Sequence, residues 1–413
     1  MTPKAQALTG SVRQIILEHS GRLVASCPQL ERPAAVKVQL LAVASVLVVA
    51  CAGDSAKDWA GTIDTLPSGV IHVSNPEEGL WDTSPLWQLT EVSKIGTRHG
   101  SGPAMFGMVW DIEVDQAGRV YVFDWQAQDV RLFEADGSYV RTIGRPGGGP
   151  GEFRHVNGIA VDLANRLWVN DQGNLRLSVF DSSGGLVMEP HKSGTGIGFV
   201  YWRSVFSADG HLIEYGGYST AEGSFFGLRR YDVATERLVD VNVSPAVPAP
   251  PGTRPFSKIR TLTRRGFWGG DKYTYWLSHT TFSGDTVRIV EGARESNRLS
   301  ASERDSAEQN ERQLRRRATQ RDLDLETELR PVFETLVLDD SDHLWVMLSA
   351  EPEQERSRFD VFDPIGRYLG QLLAPHLVEP QPLPVFRDGR IYYVRKDELD
   401  VQYVVVAEIR GRR

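Results

Sequence analysis

A segment of about 47 residues recurs along this chain, and no other feature limits the possible folds as severely. The run from Val92 to Asp115, VSKIGTRHGSGPAMFGMVWDIEVD, aligns with Val140 to Asp162, VRTIGRPGGGPGEFRHVNGIAVD, so that Ile95 falls on Ile143, Phe106 on Phe153 and Asp115 on Asp162. Beyond it AGRVYVFD (117–124) matches ANRLWVND (164–171), and VRLFEADG (130–137) matches LSVFDSSG (177–184). Each block alternates apolar and polar residues between Asp, Asn, Gly or Ser, the period-2 pattern of half-buried antiparallel strands. Weaker copies follow at 204–232, 262–292, 335–372 and 384–409. Six sheets of about four short strands describe an all-β, six-bladed β-propeller. The last copy lacks its outer strand, whereas WQLTEVSKIG (87–96) precedes the first copy and corresponds to the fourth strand DGSYVRTIG (136–144). Pairing that N-terminal strand with the C-terminal blade closes the ring over residues 86–413 and removes two sheet edges open to mispairing.

One segment departs from the strand rhythm. Between blades four and five, at about 296–330, Ser300-Ala-Ser-Glu303 has the form of a helical capping box, and the residues that follow are charged nearly all round. Its triplet Arg315, Arg316 and Arg317 is a candidate contact for an acidic partner.

The 46 Lys and Arg against 54 Asp and Glu leave a net charge of -8, which argues against nucleic acid as partner, because a phosphate backbone rewards basic surfaces. Two cysteines make neither a disulfide framework nor a thiolate metal site.

The apolar run LLAVASVLVVA at 40–50 follows Lys37. At a rise of 1.5 Å per residue it is too short for a ~30 Å hydrocarbon core and reads as the apolar region of a signal peptide. Val36 is a plausible true start, with V-K-V-Q-L-L as a short basic lead. Val48-Val49-Ala50-Cys51 resembles the lipobox of bacterial lipoproteins. The resemblance implies lipidation of Cys51, a leader at 1–50, a linker at 51–85, and membrane attachment on the periplasmic or cell-surface side.

Within the propeller, IGRPGGGPGEF (143–153), NGIAVDLANRLWVND (157–171) and GNLRLSVFD (173–181) resemble NHL-repeat propellers. That similarity spans residues 95–181. DSDHLWV, VFDPIGRYLG and KDELDVQYV further on resemble the C-terminal blades of exported bacterial six-bladed propeller lipoproteins. The resemblance implies a fold and an exported setting, with no activity to carry across.

The aspartates that begin hairpins, Asp115, Asp162, Asp209 and Asp388, are expected to cap turn N–H groups. Asp171, Asn174 and Arg176 are expected to brace loop to strand, and Trp110, Trp168 and Trp345 to wedge between blades. Nine histidines include no H-x-H or H-E-x-x-H, so no metal site or cofactor is assigned, and no nucleophile–base pair marks a catalytic residue. The candidate ligand face gathers Arg98, His99, Trp125, Arg145, Arg154 and His155, from outer-to-inner connections and one second-to-third strand loop. Such a face holds an anion by charge-assisted hydrogen bonds. The expected function is therefore an envelope-anchored binding or interaction module, its partner an envelope protein or a small anionic ligand. The alternative is a metal-dependent propeller enzyme of lyase or lactonase type, with a divalent cation at the channel mouth.

Overall fold

The computed structural model describes residues 58–81, 86–191, 202–220, 223–232, 237–241, 258–306, 308–309, 329–351 and 353–411. The leader, Cys51 and the Arg315–Arg317 triplet lie outside them. Among the described residues the regular secondary structure is almost entirely strand, in six antiparallel blades. Blade one is β4 (Val109–Val114), β5 (Val120–Asp124), β6 (Asp129–Phe133) and β7 (Tyr139–Ile143). Blade two is β8 (Val156–Val161), β9 (Leu167–Asp171), β10 (Arg176–Phe180) and β11 (Leu186–Met188). Blade three runs from β12 (Arg203–Phe206) through β13 (Leu212–Thr220) and β14 (Gly223–Asp232) to β15 (Arg237–Val241). Blade four holds β16 (Lys258–Thr263), β17 (Gly266–Asp271), β18 (Trp276–Thr281) and β19 (Thr286–Glu291). Blade five holds β20 (Phe333–Leu338), β21 (Leu344–Leu348), β22 (Arg358–Phe362) and β23 (Tyr368–Leu373).

Blade six closes the ring as the repeat requires. Its β24 (Val385–Arg387), β25 (Arg390–Lys396) and β26 (Gln402–Arg410) are completed by β3 (Gln88–Ile95), with Val405 opposite Lys94 and Arg410 opposite Gln88. Among the described residues the insertion between blades four and five is helical at 301–306 and 308–309, capped as expected: Ser300 Oγ accepts the Glu303 N–H and the Glu303 carboxylate accepts the Ser300 N–H.

Alternation along each strand glues the blades together. On β5, Val120 and Val122 face blade six beside Tyr392 and Val404, while Tyr121 and Phe123 face blade two beside Val156 and Leu167. A buried cluster of this kind occupies each of the six junctions between neighbouring blades. Trp168 and Trp345 are fully buried wedges, and each donates its indole N–H to the turn aspartate six residues earlier, at 3.0 Å to Asp162 and 3.1 Å to Asp339. Asp162 also accepts the N–H groups of Ala164 and Arg166 and the Arg166 guanidinium, and Asp115 does the same for Ala117 and Arg119. Asp115 and Asp162 are turn caps as expected; in blade three the cap is instead Ser207, whose Oγ accepts the His211 N–H and donates to Asp209, and Asp388 of blade six sits within its tight turn at φ 49° without capping an N–H among the described residues.

The stretch read as a linker, 51–85, contains more sheet than its composition suggested. β1 (Thr62–Thr65) and β2 (Ile71–Ser74) form a hairpin that extends blade four, β2 running parallel to β19. The chain then crosses the outer edge of blade five. Asn75 bonds to Gly366 and Tyr368, Leu80 N–H donates to Tyr368 O, and Trp81 N–H donates to Leu369 O at 2.6 Å. Gly79 permits this approach, since a Cβ there would sit 2.5 Å from Leu369 O. Trp81 and Trp87 then enter the core between blades five and six. Residues 62–81 and 86–95 thus contribute to three consecutive blades.

Candidate functional site

Antiparallel order within a blade places two kinds of loop at one end of the ring: the loops between second and third strands, and the connections from an outer strand to the next inner strand. At that end, between blades one and two, lies an open cleft of about 560 Å³. One wall is the β5–β6 loop with Trp125, Gln126 and Gln128; the other is the β7–β8 connection with Pro146, Gly147, Arg154 and His155, and Phe153 lies beneath. The volume lies within the range of small-molecule sites.

Both walls are held firmly. Pro146 and Phe153 form a bridge, Phe153 N–H donates to Arg145 O, and Gly147 N–H donates to Phe153 O. Gln128 joins the walls, donating to Trp125 O at 2.6 Å and accepting from Val156 N–H at 3.3 Å. Asp171 accepts the Arg154 N–H, and Gly173 N–H donates to Arg154 O, so the backbone beneath the Arg154 side chain is pinned on both sides. Trp110 lies behind Trp125, ring centroids 6.1 Å apart and planes tilted by 32°.

The structure brings together three of the six candidate face residues, Trp125, Arg154 and His155. Arg145 stands nearby, but its guanidinium is bound to Glu152 at 3.0 Å. Arg98 and His99 sit on the connection from blade six to blade one and do not line the cleft; Arg98 is held by Asp397 at 2.7 Å and Glu398 at 2.6 Å. Among the described residues no carboxylate lies within ion-pair distance of the exposed Arg154 guanidinium.

The expected braces are equally concrete. Asn174 bonds to Asp171 at 2.7 Å, and Arg176 donates to Gly149 O and Glu152 O. In blade one Arg131 donates to Pro103 O and Met105 O. Blade five inverts the charge: buried Asp360 on the third strand receives Arg294 from the preceding connection, together with the Tyr275 and Tyr368 hydroxyls.

Sequence reasoning overlooked a second pair. Asp111 and Glu113 lie on β4, an inner strand, and the inner strands of neighbouring blades touch around the axis. Asp111 accepts the N–H of Ile159 on the adjacent inner strand at 2.8 Å and that of Ile112 at 3.0 Å. Burial pushes Asp111 up to about 7 against those two bonds. Burial and then the neighbouring Asp111 push Glu113 up to about 8, while Arg387 and the Val114 N–H pull it down. The repeat itself carried the signal, because blade two has Gly158 and Ala160 at the equivalent positions. A Cβ at Gly158 would stand 3.0 Å from Asp111 Oδ2. Two carboxyls with shifts of this kind are frequent at functional sites, although a structural pair produces them too. Among the described residues no three His, Cys, Asp or Glu side chains converge as a metal centre requires, and no helix is long and apolar enough to cross a membrane.

No protein of curated function matches the sequence. Among solved structures, a "Putative exported protein" from Bacteroides fragilis aligns at 12% identity and TM-score 0.48, over 82% of this chain and 99% of its own. A member of the duf4221 family from Bacteroides vulgatus aligns at 9% identity and TM-score 0.48, over 78% and 98%. The virginiamycin B lyase of Staphylococcus aureus, solved with quinupristin, aligns at 10% identity and TM-score 0.42, over 78% and 99%. A family model described as a 6-bladed beta-propeller matches residues 104–196, the stretch that holds blades one and two and the cleft between them. With six sheets joined by six buried junctions and closed by β3, the chain is a six-bladed β-propeller.

Proposed function

We propose that this protein is an exported, lipid-anchored binding module that captures a small anionic ligand in the cleft between blades one and two. The observation that carries the reading is Arg154. Its backbone is clamped by Asp171 and Gly173, its guanidinium has no carboxylate partner among the described residues, and it stands in a concave site beside Trp125 and His155. A fixed cation at the edge of an apolar hollow recognises charge and excludes neutral competitors. Export rests on the apolar run at 40–50, and anchoring on the lipobox resemblance ending at Cys51.

The test is a thermal-shift panel of small anions, each paired with its neutral amide or ester, run on native protein and on Arg154→Ala. Anions that stabilise the native protein and leave the variant unmoved support the reading; a panel in which the two proteins respond alike rejects it. For the anchor, incorporation of a labelled fatty acid into the native chain, lost in Cys51→Ser, is the expected result. Labelling that persists in the variant excludes Cys51 as the acceptor.

A further inference from the structure

We infer that the cleft is built for a planar aromatic group carrying a carboxylate, an assignment that rests on the proposed ligand site and names the chemistry it selects. Three features of the walls lead there.

The first is the pairing of aromatic surface with a single cation. Trp125 is half-buried and backed by Trp110, so its position is set before any ligand arrives. Fully buried Phe153 underlies the connection that carries Arg154. A supported indole face takes a flat ring by offset stacking, at little entropic cost. The Arg154 guanidinium matches the planar, two-oxygen geometry of a carboxylate.

The second is the local break in the repeat. In the alignment of the two copies, Arg154 and His155 take the places of Gly107 and Met108. Met108 O accepts from Trp125 N–H and Arg154 O accepts from Gly173 N–H, so in both blades the backbone of the connection holds the following loop and the side chains are free to differ. Blade two puts a cation and an imidazole at the same point.

The third is backbone strain at His155, whose φ is 56°. Three other non-glycine residues with left-handed φ, Gln128, Leu175 and Tyr275, occupy one recurring position in the loops between second and third strands, where the turn itself demands that conformation. His155 belongs to no such recurring position among the described residues. A left-handed non-glycine backbone is costly, and strain of this kind gathers where a side chain must be aimed. Gly or Asn would relieve it; the histidine kept there lines the cleft next to Arg154.

Titration calorimetry with three probes tests the assignment: indole-3-acetate, indole-3-acetamide and cyclohexylacetate. Indole-3-acetate is expected to bind the native protein, with the amide at least tenfold weaker and cyclohexylacetate several-fold weaker. Arg154→Ala is expected to weaken indole-3-acetate at least tenfold and to leave the amide unchanged. Trp125→Leu is expected to abolish the preference for indole-3-acetate over cyclohexylacetate. Arg154 is exposed, so its variant keeps the fold, which circular dichroism verifies. Equal binding of acid and amide, or of the aromatic and saturated acids, overturns the assignment, as does the absence of heat with all three. If the anion panel still shows ligands dependent on Arg154, the cleft survives as an anion site and only the aromatic carboxylate class falls; if it shows none, both fail.

Discussion

Replacing Glu113 by Gln should make this propeller more stable as the pH rises. In the folded chain the Glu113 carboxyl is held up to about 8 by burial and by Asp111, against 4.5 when free. Between those values the unfolded chain carries the charge and the folded chain carries a proton, so the folded state binds more protons and stability falls with rising pH. The loss begins above about pH 4.5 and is complete near pH 8. At 1.36 kcal/mol per unit the full shift corresponds to about 5 kcal/mol, and the partial contact that Glu113 keeps with solvent reduces it to about 2–4 kcal/mol. Gln preserves the shape and never ionises. Denaturant unfolding of native protein and variant is therefore expected to coincide near pH 4.5 and to diverge by that amount at pH 8, with the variant higher. A variant less stable at pH 8 would show that Glu113 is ionised and paired there, and the argument from burial would fail.

Further outcomes follow from the same contacts. Trp81→Ala removes a wedge from the core between blades five and six and should cost about 3–5 kcal/mol in unfolding experiments; a neutral result would mean that this segment is not part of the cooperative unit. Arg294→Met leaves the buried Asp360 carboxylate with tyrosine hydroxyls alone and should cost about 3 kcal/mol, recovered in part by adding Asp360→Asn. Without that recovery, the charge is not what Arg294 satisfies. Asp162→Ala deletes the acceptor of two turn N–H groups, the Arg166 guanidinium and the Trp168 indole, at about 2–3 kcal/mol by thermal unfolding; an unchanged melting temperature would refute the cap.

The repeat made the number of blades and the closing strand legible because each rests on local pattern. Alternating strands must bury one side against each neighbour, and a copy short of its fourth strand must find one at the other end of the chain. The caps at Asp115 and Asp162 were legible for the same reason, since a carboxylate reaches N–H groups only two to four residues away; at Asp209 the neighbouring Ser207 hydroxyl takes that place. The N-terminal hairpin was not legible, because Thr62–Ser74 joins blade four by parallel pairing with β19, a contact more than two hundred residues distant that leaves no local period.

The candidate face divides along the same line. Sequence alone determined that Arg98, Arg145 and Arg154 lie on loops at one end of the ring, since strand order settles which end a loop occupies. Only the tertiary structure decided which of those charges is already satisfied: Asp397 and Glu398 reach Arg98 from a loop some three hundred residues away, Glu152 folds back onto Arg145, and Arg154 is left beside Trp125 and His155. Asp111 and Glu113 stood in plain view as charges on an alternating strand. Their protonation waited on the walls around them, because a carboxyl's affinity for its proton is set by the solvent and partners the fold removes or supplies.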